Sequence, residues 1–235
     1  THLYPLQTQV FYNSSKYLGE SLFCGAAAGA GKGVVAEILC ILHLLRGDYD
    51  ATSIGSNITK SPILFIIPNQ FALELEYSKY KSYFDGQLGY SVGLLTGQFW
   101  LDSKIFDSSR IVFTSPTNYE YFTRKPASLS KVKAVKLYFL FDLQFLSDQR
   151  AAAIYEIVIS RIRYLNESSN SSNDVTQSKV RYLCFSQSIS NYKDVSDWLE
   201  IPSHLVFNFK ATVKPNSVET FIQGFDQYHR ESRLN

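Results

Sequence analysis

Methionine is absent from this chain of 235 residues, and cysteine, histidine and tryptophan are scarce. Because the chain begins at Thr1 and has no methionine at all, we expect it to be a piece of a larger protein. The three cysteines, Cys24, Cys40 and Cys184, are odd in number and widely spaced, which argues against a disulfide framework or a zinc site. They predict reduced core thiols in a cytosolic or nuclear protein.

Long apolar runs and an excess of charge of one sign are also missing. No run approaches the roughly 18 residues that are needed to cross a bilayer, so we expect no membrane partner. The net charge of +2 is too balanced to predict nucleic-acid binding by itself. What the chain has is 17 Phe and 16 Tyr in a composition that is 45% hydrophobic, which is typical of a globular protein with a full core.

Short apolar runs rich in β-branched and aromatic residues predict seven buried strands. They span 21–27, 62–68, 90–97, 110–116, 136–143, 180–186 and 204–209. Helical patterns lie between them, at 32–45, 70–84, 117–123, 150–165 and 191–199. This alternation predicts an α/β fold, a mostly parallel sheet with helices on both faces and with ligands at the carboxyl ends of the strands.

Three finer expectations follow from the same patterns. In the first predicted helix, apolar spacing favours one buried face, formed by Val35, Ile38, Leu39, Leu42 and Leu45. Residues 166–178 are predicted to be a polar surface loop. The pattern breaks after residue 210, so we expect 1–210 to be one domain and 211–235 to be an exit segment toward a neighbouring domain.

Residues 23–38, FCGAAAGAGKGVVAEI, contain most of a phosphate-binding loop between a predicted strand and a predicted helix. The pattern is G-x-x-x-x-G-K followed by Ser or Thr, but here Gly33 stands at the hydroxyl position. Backbone amides of the loop would cradle phosphates, and the lysine would reach the outer phosphates. The residues concerned are Ala28, Gly29, Ala30, Gly31, Lys32 and Gly33. A tight turn for close helix–sheet packing is the alternative.

A set of ordered motifs gives the loop a context. They are YPLQTQVFY (4–12), GAAAGAGKGVVAEI (25–38), IIPNQFAL (66–73), TSPTNYE (114–120), SQSISNYKDVSDWL (186–199) and FNFKATVKP (207–215). In order and spacing they resemble the first RecA-like domain of superfamily 2 DExH-box RNA helicases of the superkiller type. Within that family they are most similar to the second, C-terminal cassette of the large dual-cassette helicases of the spliceosome.

The resemblance implies roles for several residues. Gln7 stands at the glutamine of the adenine-reading motif. Ala26 to Gly33 stand where the family has A-P-T-G-S-G-K-T, so the threonine hydroxyl that binds Mg²⁺ is replaced by a residue without a side chain. Ser186 and Ser188 stand in the coupling motif S-A-T, although capping of the following helix explains these serines equally well.

The acidic box of the family departs further from its pattern. With the spacing to the flanking motifs kept, D-E-x-H falls on Phe141, Asp142, Leu143 and Gln144. If the register slips by one residue, Asp142 regains the metal-binding role but Leu143 replaces the catalytic glutamate. Both registers lose a group that hydrolysis needs, so we expect no confident catalytic residue here and no well-held Mg²⁺.

The function that this implies is a catalytically inactive helicase-cassette domain of the nucleus, a regulatory and protein-docking scaffold in pre-mRNA splicing. Its partners would be the active N-terminal cassette and the second RecA-like domain of the parent chain, with other spliceosomal proteins. One alternative is an active RNA-dependent ATPase, which would need another acid such as Asp148. A second is a domain that holds ATP or ADP weakly without turnover, and a third is a related dual-cassette helicase.

Two surface predictions complete this picture. The strand-end loops near 68–72, 96–98 and 114–117, where RNA lies in such helicases, carry no Arg or Lys, so we expect RNA contact to be weak or absent. Aromatic rings beside charges are typical of protein interfaces, and Tyr77, Tyr80, Tyr119 and Tyr121 are set in this way. At least one of these rings should be exposed, and the alternative for the others is the helix–sheet core.

Overall fold

The computed structural model describes residues 2–14, 19–54, 61–148, 152–170, 180–216 and 221–222. These residues form one sheet of seven parallel strands in the order β3-β4-β2-β5-β6-β1-β7. The strands are β1 (Leu22–Gly25), β2 (Ile63–Ile66), β3 (Val92–Leu94), β4 (Ile111–Thr114), β5 (Leu137–Phe141), β6 (Arg181–Ser186) and β7 (Val206–Asn208). The predicted α/β, RecA-like fold is therefore confirmed.

Helices surround this sheet. They are α1 (Pro5–Ser14), α2 (Lys32–Ile54), α3 (Gln70–Tyr80), α4 (Phe99–Ser108), α5 (Pro116–Thr123), α6 (Leu129–Ala134), α7 (Ala152–Asn170) and α8 (Tyr192–Trp198). A π-helical turn, Lys81–Asp85, continues α3. Helix α7 extends five residues into the stretch predicted as a polar loop, 166–178, and the remainder of that stretch lies outside the described residues.

Aromatic rings stack across the middle of the sheet. Phe65 on β2 pairs in register with Phe113 on β4 and with Phe139 on β5. Its ring centroid lies 4.6 Å from that of Phe113 and 4.1 Å from that of Phe139, in nearly parallel planes. All three rings are fully buried, so the strands are held by side-chain packing across the ladder as well as by backbone hydrogen bonds.

The buried face of α2 differs from the predicted one. Val35 and Leu39 are buried as expected, but Leu42 and Leu45 are exposed, and Cys40 and Leu44 take their place in the core. Because apolar side chains occur on several sides of this helix, the spacing allowed more than one face and packing against the sheet selected another. The three cysteines are all free and buried, as the sequence predicted.

The strand order places the loops that follow β5, β6 and β1 side by side at the carboxyl edge of the sheet. These are the loops that carry the predicted acidic box, coupling motif and phosphate loop. At the same edge Asp102, fully buried near the start of α4, accepts hydrogen bonds from the Thr96 and Gly97 amides at 2.7 and 2.9 Å. In the described part of the chain, none of the helices has the length and apolarity that a membrane crossing requires.

Candidate nucleotide-binding site

The phosphate loop connects β1 to α2, and its backbone conformation depends on two glycines. Gly29 and Gly31 have φ angles of +78° and +96°, in the left-handed region that side chains other than hydrogen disfavour. The amide of Ala30 donates to the Ala27 carbonyl at 3.3 Å. In the residues that the structure describes, no hydrogen bond engages the amides of Ala28, Gly29, Gly31, Lys32 or Gly33. Five donors at a helix start are thus available to an anion.

Lys32 opens α2 with its ammonium folded back over the loop. It donates to the carbonyl oxygens of Ala26 and Ala27, the second at 2.9 Å. Burial lowers the pKa of Lys32, and the electrostatic influence of Cys24 and of the Asp142 carboxylate opposes that shift. A partly desolvated ammonium that is held by weak carbonyl acceptors favours an incoming phosphate oxygen as its partner.

Gln7 lies on α1, 4% exposed, and contacts the closing glycine of the loop. Its Nε2 donates to the Gly31 carbonyl at 3.2 Å, and its Oε1 accepts from the Tyr4 amide at 2.9 Å. Each amide atom keeps one further hydrogen-bonding position, because the nitrogen carries two hydrogens and the oxygen two lone pairs. That remaining donor and acceptor match the N7 and N6 atoms of an adenine ring.

The end of β5 carries the residues on which the resemblance places the acidic box. Phe141 is the last residue of that strand, and its ring centroid lies 5.1 Å from that of Phe185. Asp142 follows with a φ angle of +55°, which Asp tolerates better than most residues, and its Oδ1 accepts from Gln144 Nε2 at 2.9 Å. Asp148, the substitute acid considered from the sequence, lies exposed at the end of the 3₁₀ turn Leu143–Ser147.

Gln144 joins the predicted acidic box to the predicted coupling motif. Its Oε1 accepts from the Ser186 hydroxyl at 3.1 Å and from the Gln187 amide at 3.0 Å. Ser186 is buried at the end of β6, whereas Ser188 is exposed in the following loop. The structure thus brings together Gln7 with Gly31 and Gln144 with Ser186, it places Asp142 within electrostatic reach of Lys32, and it leaves Ser188 apart.

The residues present fit a nucleotide but not its usual metal. Free loop amides, Lys32 and Gln7 supply donors for phosphates and a matching edge for adenine. By contrast, Gly33 has no hydroxyl, Phe141 has no carboxylate, and the described residues hold no group of three or more His, Cys, Asp or Glu that could bind a metal ion. A nucleotide would bring phosphate charge to these amides, whereas Gly33 and Phe141 supply no ligand for a Mg²⁺ ion beside it.

One basic side chain at this loop was not foreseen from the sequence. Lys214 follows β7, and its Cε would lie 3.2 Å from a methyl group placed on Gly29, with Nζ at 3.8 Å. Its position depends on β7 pairing with β1, the strand that leads into the loop. The only signal in the sequence was a lysine shortly after a predicted strand, which by itself says nothing of its neighbours.

Comparison with known proteins finds several that are similar to this chain in sequence. The chain is 28% identical over 233 residues to the human U5 small nuclear ribonucleoprotein 200 kDa helicase and 30% identical over 229 residues to the pre-mRNA-splicing factor brr2 of Schizosaccharomyces pombe. It is 29% identical over 236 residues to the DExH-box ATP-dependent RNA helicase DExH12 of Arabidopsis thaliana. By name these relatives are two helicases and a splicing factor, and the chain is similar in sequence to a part of each.

These alignments cover 97–99% of this chain but 10% of each relative. The chain therefore spans about a tenth of the length of the proteins that it matches. No protein-family model matches it. The relatives support the resemblance to DExH-box helicases that the motifs indicated, whereas the place in a second cassette and the loss of catalysis stay predictions.

Proposed function

We propose that this chain is one RecA-like domain of a large spliceosomal DExH-box helicase, that it does not hydrolyse ATP, and that it acts as a regulatory and docking scaffold in the nucleus. The observation that carries the proposal is the end of β5. There the apolar ring of Phe141 packs against Phe185, and in the register that keeps the spacing to the flanking motifs this residue stands where the family holds its metal-binding carboxylate. The relatives named above, a splicing factor among them, support the assignment to splicing.

Loss of hydrolysis follows from what phosphoryl transfer needs. The reaction depends on a positioned Mg²⁺ and on charge stabilisation around the γ-phosphate, with a group that orients the attacking water. In this chain Gly33 and Phe141 supply no ligand for the ion. The remaining carboxylate, Asp142, is hydrogen-bonded to Gln144. Removal of several such groups costs many orders of magnitude in rate, since each acts on the same transition state.

A bound nucleotide that is not turned over is the second candidate, and one observation favours it. The loop keeps five unpaired amides, a desolvated lysine and a buried glutamine, which are the parts that hold phosphates and adenine. The two candidates are compatible, because ATP or ADP held without hydrolysis would stabilise the domain by mass action and leave its outer surface unchanged.

Docking is the activity that the fold retains without catalysis. We propose as partners the active N-terminal cassette, the second RecA-like domain of the parent chain and other spliceosomal proteins. The strand-end loops that would meet RNA expose Asn69, Gln70, Gln98 and Thr117 but no basic side chain, so RNA contact is proposed to be weak or absent.

A turnover measurement tests the loss of hydrolysis. Phosphate release from ATP with Mg²⁺ is followed for the chain and for its longer parent cassette, with and without single-stranded RNA. We expect no RNA-stimulated release above background. The variant Gly33→Thr should not restore it, although the new side chain has open space, because Phe141 still denies the ion its second ligand. Robust RNA-stimulated turnover by the unmodified cassette would contradict the proposal.

A further inference from the structure

Lys214 borders the phosphate loop from a segment that has no part in the loop motif. A methyl group on Gly29 would lie 3.2 Å from Lys214 Cε and 3.8 Å from its ammonium nitrogen, so the lysine side chain borders the loop at the place where a side chain of residue 29 would begin. Gly29 itself has a φ of +78°, and its lack of a side chain leaves room for the lysine. The loop thus has one lysine of its own, Lys32, and a second from outside.

The topology of the sheet accounts for the second lysine. β7 pairs with β1 as the edge strand, with Gly25 opposite Asn208. The Phe209 amide donates to the Gly25 carbonyl at 2.7 Å, which carries the outgoing chain past the point where the loop begins. A 3₁₀ turn, Ala211–Val213, closed by the Val213 amide on the Lys210 carbonyl at 3.1 Å, then brings Lys214 to Gly29.

The charges around the loop do not balance without an anion. Lys32 has one carboxylate in its electrostatic environment, that of Asp142. In the described part of the chain, no ion pair or hydrogen bond involves the Lys214 side chain. Two ammonium groups and five unpaired amides therefore border the loop, and among the described residues Asp142 is the one carboxylate that acts on Lys32. Such a set is complementary to a phosphate chain carrying several negative charges.

We propose that Lys214 supplies a second cation to the phosphates of a bound nucleotide, and that this chain therefore binds ATP without a divalent metal. The inference rests on the proposed function, in which the loop holds nucleotide but does not hydrolyse it. An ammonium neutralises phosphate oxygens through N–H donors but offers no coordination site for water, unlike Mg²⁺. With a lysine in place of the protein ligands of Mg²⁺, the domain would still bind the nucleotide but would lack the metal ion that hydrolysis requires.

The test is a titration of the intact chain with ATP at constant ionic strength, in EDTA and in Mg²⁺, by calorimetry. The dissociation constant in EDTA should lie within about threefold of that in Mg²⁺, since Gly33 and Phe141 supply the ion no ligand. Lys214→Met should raise the dissociation constant in EDTA by about tenfold, the loss expected for a charge-assisted contact. Lys214→Arg, which keeps the charge, should retain most of the affinity.

The matched control is Lys210→Met, which removes an exposed charge from the same segment. It should leave the dissociation constant nearly unchanged, and both methionine variants should melt at the wild-type temperature. Equal weakening by the two variants would overturn the inference, because it would show a general field effect. Binding that requires Mg²⁺, or no binding in either buffer, would also overturn it and leave the proposed scaffold role intact. Turnover in Mg²⁺ would instead contradict the proposed function.

Discussion

At the scale of single residues, the proposed loss of hydrolysis rests more on Phe141 than on the phosphate loop. Glycine at position 33 removes one ligand and leaves open space, so a water molecule or a substitution can fill it. A phenylalanine at the end of β5 removes a ligand and places an apolar ring in contact with the aromatic core. Restoration of a carboxylate there would put a charge against Phe65 and Phe185, which is costly without a partner.

His43 on α2 should make the stability of the fold sensitive to acid. Burial, together with the positive charges of Arg181, Arg110 and Arg46, lowers the pKa of His43 from 6.5 to about 4. Because the unfolded chain binds the proton more tightly, stability is lost as pH falls from about 6.5 to about 4 and changes little further below. The loss is up to about 3 kcal/mol, since each unit of pKa is worth roughly 1.4 kcal/mol.

The variant His43→Gln checks this, with chemical unfolding followed from pH 7 to pH 4. Over that range its free energy of unfolding should fall less steeply than that of the wild type. Glutamine keeps a polar side chain of similar size, so stability at pH 7 should be close to that of the parent. Parallel curves for the two proteins would show that the histidine is not the group that takes up the proton.

At the scale of secondary-structure elements, one buried carboxylate ties α5 to α7. Glu120 is 8% exposed and accepts from Arg161 Nη2 at 3.3 Å and from Arg124 Nε at 2.6 Å. Arg161 also donates to the Glu120 carbonyl at 3.2 Å and to the Thr123 hydroxyl at 2.6 Å. The guanidinium of Arg161, on α7, thus binds groups in the last turns of α5.

The loss of Arg161 should therefore cost more than the loss of Arg124. We expect Arg161→Ala to lower the free energy of unfolding by about 2 kcal/mol, because hydrogen bonds to charged groups are lost and Glu120 keeps only one partner. Arg124, with 67% of its side chain exposed, is the matched control, and its alanine variant should lose about 0.5 kcal/mol or less. Urea unfolding of the two variants measures both, and equal losses would contradict the bridging role of Arg161.

The elements also show what the sequence could and could not predict. All seven strands were predicted, because a parallel sheet covered on both faces needs continuous apolar runs and nothing else in the chain resembles them. Helices α1, α4 and α6 were missed, since exposed Trp100 and Leu101 in α4 and Tyr12 in α1 obscure any apolar stripe. The loop residues were recognised from their spacing, whereas Lys214 could not be, because its proximity depends on the strand order.

At the scale of the whole molecule, the outer surface decides which aromatic rings can meet a partner. Tyr80 and Tyr119 are buried in the core and are not interface candidates. Tyr77 is half-buried and packs near Phe113. Tyr121 is 42% exposed, with the Lys125 ammonium 5.4 Å from its ring centroid. Tyr77 also has a lysine ammonium near its ring, that of Lys81 at 5.5 Å, but Tyr121 is the more exposed of the two rings and is therefore the better candidate for docking.

Substitution of this ring should separate association from stability. Tyr121→Ala is expected to weaken the association of the tagged chain with its proposed spliceosomal partners in nuclear extract by roughly tenfold, the loss that is typical of an interface anchor. Its melting temperature should stay close to that of the wild type. Tyr119→Ala is the contrasting variant. It removes a fully buried ring and the 3.2 Å contact between the Tyr119 and Tyr138 hydroxyls, so it should lower the melting temperature by several degrees. If Tyr121→Ala lowers stability and spares association, the docking surface lies elsewhere.

The place of β1 in the sheet has a consequence for how the chain acquires its structure during synthesis. β1 emerges from the ribosome first, but its only neighbours in the described sheet are β6 and β7, which begin at Arg181 and Val206. The strand that leads into the phosphate loop must therefore wait for most of the chain to be made before its edges are covered. Contacts so distant in sequence form slowly, and an uncovered apolar strand invites other chains to pair with it. The strand that leads into the phosphate loop is thus among the first strands of this sheet to be made and among the last to gain its neighbours.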